Sequence, residues 1–322
     1  MKKDLRPDIW SVIAAYGRII IHRHQSPDGD AIGAQVGLKH IIQENYPDKE
    51  VYTVGDSAGR YAFMDDAVMD DIPDSRYEGA LAVILDTGSA ALISDTRYTL
   101  AADTLRIDHH LFCEPIARVE VVEPGYESCC GLITALAVEA GLKIPPLAAK
   151  SLFTGIVTDS GRFRYDSVTP ETFRLAACLL EQSFNPGEIY RNLYSDDLDA
   201  VKARAAFVQK IKLTTHGVAY IYTTKEEMAV LGMSTFAVSR GMVNTMADIR
   251  GVNIWVNFTE TEDGVLCELR SGTCNINPVA VRYGGGGHPK ASGATVKDRD
   301  TAMAMLNDLD ALSGQASPKK GK

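Results

Sequence analysis

The sequence predicts an α/β protein: an N-terminal domain with a parallel sheet and helices on both faces, a helical linker, and a smaller C-terminal α/β domain with a mixed sheet. Three observations predict it. Short, near-continuous apolar runs alternate with helical patterns over the first half, as in strands buried on both faces of a parallel sheet. A charged but helical stretch covers residues 186–212. Beyond it, two apolar runs flank Glu262-Asp263-Gly264, as in a hairpin.

Taken in order, residues 18–22 (RIIIH) form a strand, and His24-Gln25-Ser26-Pro27-Asp28-Gly29-Asp30 a turn whose chemistry comes from Pro27 and Gly29. A helix is expected over 31–45, with Ala34, Leu38, Ile41 and Ile42 on one face. Further strands fall at 50–54, at 81–85 ahead of Asp86-Thr87-Gly88, at 104–108 and at 118–122. Helices follow at 128–140, 147–158, 170–182 and 186–211. The second domain reads as a strand at 218–222, a helix at 236–247, paired strands at 252–258 and 265–270, and helices at 278–283 and 301–312. The expected layout is therefore a first domain over 1–185, a linker over 186–212, a second domain over 213–312 and a disordered polar tail over 313–322.

Composition narrows the function classes. A chain of 322 residues with 45% hydrophobic and 23% charged residues suits a globular protein with two cores. No run approaches the roughly 18 apolar residues of a membrane span, and the first ten residues lack the apolar stretch of a secretory signal. Six cysteines without a CxxC read as reduced thiols, so a cytoplasmic protein is expected. A net charge of −9 argues against coating long duplex nucleic acid, while leaving room for a small anionic substrate.

The chemistry gathers at strand ends. His24 with Asp28 and Asp30, then Asp86, then Asp108-His109-His110 lie just past the C-terminal ends of three strands, where open α/β sheets bind ligands. Alone, Asp108-His109-His110 is equally a polar strand end facing water. Asp159 falls on the same helical stripe as Ala148 and so points inward, or it merely ends its helix with Ser160 and Gly161. Together His24, Asp28, Asp30, Asp86, His109 and Asp159 offer oxygen and imidazole ligands without cysteine. Such a set suits manganese or magnesium better than structural zinc, and its size suits two ions sharing a carboxylate. Asp108 would orient an imidazole, and His110 would protonate a leaving oxygen or bind a phosphate. Gly284-Gly285-Gly286-Gly287-His288 is either a flexible turn or an anion-binding nest. Arg270 and His288 could grip a phosphate or a base; Arg162, Arg164 and Lys290 either add to this or are solvated charges.

The motifs HQSPDGD (24–30), LDTG (85–88), DHH (108–110) and TDSGRF (158–163), in this order, resemble the DHH phosphoesterase superfamily. The later RSG (270–272) and GGGGH (284–288) resemble its associated substrate-binding domain, so the likeness spans nearly the whole chain. Ala34, where many relatives carry Ser, is the one small departure. The resemblance implies that His24 and Asp28 hold one Mn2+, that Asp30, His109 and Asp159 hold the other, and that Asp86 bridges them, Mg2+ being an alternative ion. It implies that His110 assists at the scissile phosphate, while Arg270 and Gly285, Gly286, Gly287 and His288 hold the substrate's end in an interdomain cleft.

Within that superfamily the chain is most similar to the stand-alone nano-RNase type. The implied activity is hydrolysis of short single-stranded RNA to mononucleotides and of 3′-phosphoadenosine 5′-phosphate to AMP. The alternative is a cyclic or linear di-AMP phosphodiesterase with the same site. A non-catalytic nucleotide- or RNA-binding module is the different-class alternative, because the associated domain resembles one in alanyl-tRNA synthetases. Mononucleotides and dinucleotides are the expected partners, without membrane or long duplex, and a homodimer is compatible with this reading.

Overall fold

In the computed structural model, which describes residues 6–316, the apolar runs of the first half become parallel strands. They are β1 (Arg18–His22), β2 (Glu50–Thr53), β3 (Leu81–Leu85), β4 (Asp103–Asp108) and β5 (Val119–Val122). They pair in the order β2-β1-β3-β4-β5. The order reverses between β1 and β3, which leaves a crevice at their C-terminal ends.

Alternation divides each strand between two faces. On one face Ile19, Ile21, Val83, Leu105 and Ile107 share a core with α1 (Ile9–Ala14), α2 (Gly29–Asn45), α3 (Cys129–Glu139), α4 (Pro146–Asp159), α5 (Pro170–Leu180) and α6 (Pro186–Tyr194). On the other face Ile20 packs with Val54, Ile72, Tyr77 and Ala80. Its cover is a run of 3-10 turns at Gly59–Tyr61, Asp74–Arg76, Ala90–Leu92 and Thr96–Leu100 rather than α-helices. Asp65-Asp66, Asp70-Asp71 and Pro73 explain the irregularity, since short acidic side chains bond nearby backbone and proline lacks a donor. Asp70, for example, accepts from Thr53 N at 2.8 Å.

The chain divides into two compact units at Ser195–Asp196. The second contains α7 (Leu198–Val208), β6 (Lys212–Leu213), β7 (Ala219–Thr223), α8 (Lys225–Leu231), β8 (Ile254–Thr261), β9 (Gly264–Ser271), α9 (Asn277–Arg282), β10 (Gly286–His288), β11 (Ala291–Val296) and α10 (Arg299–Ala316). Its sheet runs β10-β11-β9-β8-β7-β6 and is antiparallel except at β7–β8, hence mixed as expected. One face packs under α9 and α10, the other under Phe207, Val238, Val243 and Met246.

Four local expectations change. The single helix over 186–211 is two, α6 and α7, separated at Ser195, and the Asp197 side chain caps α7 by accepting from Ala200 N. The helix over 236–247 is a π-helical turn, Ala237–Gly241, followed by a 3-10 turn, Asn244–Met246. There the buried Asn257 amide donates to the carbonyls of Val238 and Ser239 at 2.6 and 2.9 Å, which competes with a regular helical ladder. Helix α8 went unpredicted although Thr224 and Glu227 form a capping box, a pattern visible in the residues. Finally, α10 continues to Ala316, so the first four residues of the expected disordered tail are helical; residues 317–322 lie outside the described residues. All six cysteines are free thiols, and among the described residues no helix is long and apolar enough to cross a membrane.

Candidate metal centre and phosphate site

The sharp turn after β1 brings three ligand-type side chains to one end of the sheet. Asp28 caps α2, its Oδ1 accepting from the N–H groups of Asp30 and Ala31, both at 3.0 Å. Asp30, one residue into α2, is buried and points the other way. Its carboxylate accepts from Cys129 N at 2.7 Å and Cys130 N at 2.9 Å, across the N-terminus of α3. After β3, Asp86 takes a left-handed backbone, φ +53°, which an aspartate adopts more readily than most residues. His109 and His110 follow β4, and Asp159 ends α4.

These elements make two triads, and the Asp86 carboxylate of the first also reaches His109 of the second. His24 Nε2 lies 3.9 Å from Asp28 Oδ1 and 3.5 Å from Asp86 Oδ2. His109 Nε2 lies 3.7 Å from Asp30 Oδ2, 3.4 Å from Asp86 Oδ1 and 3.5 Å from Asp159 Oδ2. One ligand-type atom from each of His24, Asp28 and Asp86 falls within 4.8 Å of the others, and so it does for Asp30, His109 and Asp159. All six inward residues foreseen from the sequence therefore converge. Asp159 is both the end of its helix and part of the cluster.

Four carboxylates face two imidazoles, and the electrostatics record the excess. Burial, reinforced by Asp86 and Asp159, holds the Asp30 carboxyl well above its ordinary range. Burial likewise pushes Asp159 up to about 7, against the pull of His109. Burial would lower both histidines, but their carboxylate partners prevail and raise His24 and His109 to about 10 each. Asp86 goes the other way: burial is outweighed by His109 and His24, and its carboxyl lies below the usual range. Its Oδ1 is nevertheless buried without a hydrogen-bond partner. An orphaned buried anion between two carboxylate–imidazole triads is a place where divalent cations fit.

Next to the cluster, Asp108 Oδ1 binds His110 Nδ1 at 2.7 Å, and Asp108 Oδ2 takes the Arg106 guanidinium at 2.5 Å. His110 itself is half exposed. His22, by contrast, faces the opposite side of the sheet with Ile20. Burial pushes it down to about 4, and its Nδ1 lies 3.1 Å from Asp95 O, so it takes no part in the cluster.

Known proteins match this chain over most of its length. The pattern of the DHH family, N-terminal domain, fits residues 18–156, and that of the DHHA1 domain fits residues 228–314. The bifunctional oligoribonuclease and PAP phosphatase NrnA of Bacillus subtilis is 34% identical over 96% of this chain and 98% of its own. The chain belongs to the DHH family. The probable bifunctional oligoribonuclease and PAP phosphatase NrnA of Streptococcus mutans is 36% identical over 89% of this chain and 92% of its own. The solved structure of an exopolyphosphatase-related protein from Bacteroides fragilis superposes with a TM-score of 0.84 at 25% identity, covering 97% of this chain and 98% of that one. As a DHH-family protein, the chain is a phosphoester hydrolase.

In the DHHA1 unit, the expected substrate-binding residues sit on one sheet. Arg270 on β9 is paired across to Ala291 on β11, which pairs in turn with His288 on β10. Directly opposed residues of an antiparallel sheet share a face, so Arg270 and His288 flank small Ala291 in one row. Gly284-Gly285-Gly286-Gly287-His288 is thus largely a strand rather than a loose turn. Gly287 makes it possible: its φ is +133°, and a Cβ there would come within 2.6 Å of Ala291 O. Arg270 also contacts Glu268 at 3.2 Å, which Arg240 reaches at 3.0 Å from the π-helical turn.

Three residues went unread in the DHH family unit. Arg106 lies fully buried in the middle of β4 and holds Asp108. Arg23, also buried, pairs with Asp56 at 2.7 Å and donates to His24 O at 3.0 Å, which fixes the loop carrying His24. Gln35 receives Arg23 at 3.0 Å and ties α2 to the ends of β1 and β2. A readable signal existed for Arg106, which interrupts an apolar strand, whereas Arg23 follows the end of β1 and carries no such mark.

Proposed function

We propose that this DHH-family enzyme is a divalent-metal-dependent phosphoesterase that hydrolyses short oligoribonucleotides to mononucleotides and 3′-phosphoadenosine 5′-phosphate to AMP. The observation that carries the reading is Asp86, which turns one oxygen to His24 and the other to His109. His24 and Asp28 would hold one ion, Asp30, His109 and Asp159 a second, with Asp86 shared. Manganese fits this oxygen–imidazole set, and magnesium is the other hard cation it would accept. When bound, such ions supply an activated water and neutralise charge on a phosphoryl group.

The protein's own groups do the rest. Asp108, locked by Arg106, holds Nδ1 of His110, so that the other imidazole nitrogen is presented to the leaving oxygen of the scissile phosphate. Arg270 and His288, in one row above a glycine-rich strand, suit the far end of a nucleotide, where a flat backbone admits a phosphate or ribose. The kinship to relatives named for oligoribonuclease and PAP phosphatase supports the choice of substrate.

The test is Mn2+-supplemented hydrolysis of three substrates in parallel: RNAs of two to five nucleotides, 3′-phosphoadenosine 5′-phosphate and cyclic di-AMP. The expected result is fastest turnover of the short RNAs with mononucleotide product. Preference for cyclic di-AMP would replace the substrate assignment while keeping the centre. Absence of turnover on all three would point to a binding module.

A further inference from the structure

The first unit carries two guanidinium groups that its candidate metal centre leaves unexplained. Arg60 and Arg162 are exposed. Most arginines here sit against a carboxylate, as Arg18 does with Glu50 and Arg97 with Asp95. Among the described residues, Arg60 and Arg162 instead lie over tyrosine rings: Arg60 Cζ is 4.9 Å from the Tyr61 centroid, and Arg162 Cζ is 4.4 Å from that of Tyr194.

Both arginines come from segments that adjoin the cluster of carboxylates. Tyr61 is 8% exposed and packs with Ile32 and Val36 of α2, the helix that Asp28 caps. Arg162 stands three residues beyond Asp159, in a turn where Gly161, Arg162 and Phe163 all have left-handed backbones, with φ of +58°, +63° and +62°. Two consecutive non-glycine residues in that region cost backbone energy, and strain of this kind gathers at functional sites. The two approaches adjoin in the packing: Leu193, the neighbour of Tyr194 in α6, packs against the buried group that contains Tyr61, Ala58 and Met64. One arginine thus comes from the Asp28 side and the other from the Asp159 side, over two rings whose segments pack together.

A guanidinium over a ring face keeps its N–H edges available for a planar, bidentate contact, the geometry that suits phosphate. In a chain of net charge −9 the nearby carboxylates could have claimed both arginines, yet among the described residues none pairs with either. We propose that Arg60 and Arg162 form a second phosphate subsite that grips a non-scissile phosphate of the nucleotide substrate. The inference rests on the phosphoesterase reading above, since the gripped phosphate belongs to a molecule whose other phosphoester is cleaved at the Asp86 cluster. It adds to Arg270 and His288 an anion site within the first unit itself.

The experiment compares ApA, whose only phosphate is the scissile one, with its 5′-phosphorylated form pApA. Both kcat/KM and equilibrium binding are measured for wild type, Arg162→Lys and the double variant Arg60→Ala/Arg162→Ala. Wild type is expected to favour pApA. The double variant should lose about tenfold of the pApA/ApA ratio in both measurements, the scale of a charge-assisted hydrogen bond. Arg162→Lys should keep part of that ratio, because an ammonium retains the charge without the fork. A wild-type ratio near unity, or one unchanged in the double variant, overturns the subsite. If neither dinucleotide is hydrolysed, the phosphoesterase reading fails, and the binding ratio still decides the subsite.

Discussion

Asp86 shows how much one backbone conformation governs. Its left-handed φ of +53° turns a buried carboxylate back across the ends of β1 and β4, between His24 and His109. Asp86→Ala should therefore abolish turnover, by at least about a thousandfold, if it removes ligands from both triads. The fold should survive, because Asp86 lies past the end of β3 and its imidazole partners keep Asp28, Asp30 and Asp159 as neighbours. Circular dichroism and Mn2+-dependent hydrolysis of short RNA check this; a variant as fast as wild type would refute the shared-carboxylate assignment. A second residue bears on pH. The Arg118 guanidinium, with help from Tyr16, holds the Asp103 carboxyl down to about 2, against burial. A folded value below the unfolded one of about 3.9 means the stabilisation is full above pH 4 and lost as pH falls toward 2. Asp103→Asn should cost about 1 kcal/mol at pH 7, the exposed arginine being screened by water. The difference from wild type should close by pH 2 in denaturant titrations. A gap independent of pH would mean that packing, not charge, is what Asp103 provides.

At the scale of elements, the centre depends on three helices meeting closely. Gly155 in α4 faces α2 and α3, and a Cβ there would overlap Cys130 Sγ and approach Asp30 Oδ1 to 2.9 Å. The neighbours are a buried thiol and a carboxylate already held by two backbone N–H groups, so neither can withdraw. Gly155→Ala should destabilise by about 1–3 kcal/mol, as overpacking does, despite alanine's better helix propensity. It should also weaken cation binding by moving Asp30. Urea unfolding with and without Mn2+ distinguishes this from a plain packing defect, which would leave the cation-dependent increment intact. A side-chain cap explains why α2 begins at Gly29 rather than at 31. Asp28 supplies the cap, so one residue ends a turn, starts a helix and faces His24.

For the whole molecule, two units with separate cores make a sharp statement about metal removal. The carboxylate–imidazole cluster lies wholly in the unit that ends at Ser195. Divalent cations should stabilise that unit alone, by about 2.7 kcal/mol at a free concentration one hundred times Kd. Calorimetry should show one of two transitions rising with Mn2+ and falling with chelator while the other stays fixed. A uniform shift of both, or of neither, would contradict the assignment.

How much of this was legible before folding varies with the kind of interaction. Residues that act through type and spacing were readable: buried strands as apolar runs, the ligand set as acids and histidines placed after strand ends, and the pairing of 254–261 with 264–271 through its turn. What escaped depends on partners distant in the chain. Nothing in residues 186–211 marks a break more strongly than helical periodicity marks continuity, yet α6 stops before Ser195 and Asp197 starts α7 by capping it. Nothing local marks 236–247 for a π-turn, since the competitor for its carbonyls, Asn257, is on another strand. The glycine run looked like a loop because a strand with positive φ at Gly287 needs β11 beside it. Arg60 drew no notice in the sequence, and Arg162 was either a phosphate contact or a solvated charge, until the fold set each over a tyrosine. The sequence by itself determined the α/β class, the parallel order of elements and the six residues of the cluster, because hydrophobic period and side-chain chemistry are local properties. Only the tertiary structure decided that Asp86 lies between two triads, that Asp30 also caps α3, and that Arg270 and His288 share a row. Those facts follow from distances between segments up to a hundred residues apart, which packing sets and no single segment encodes.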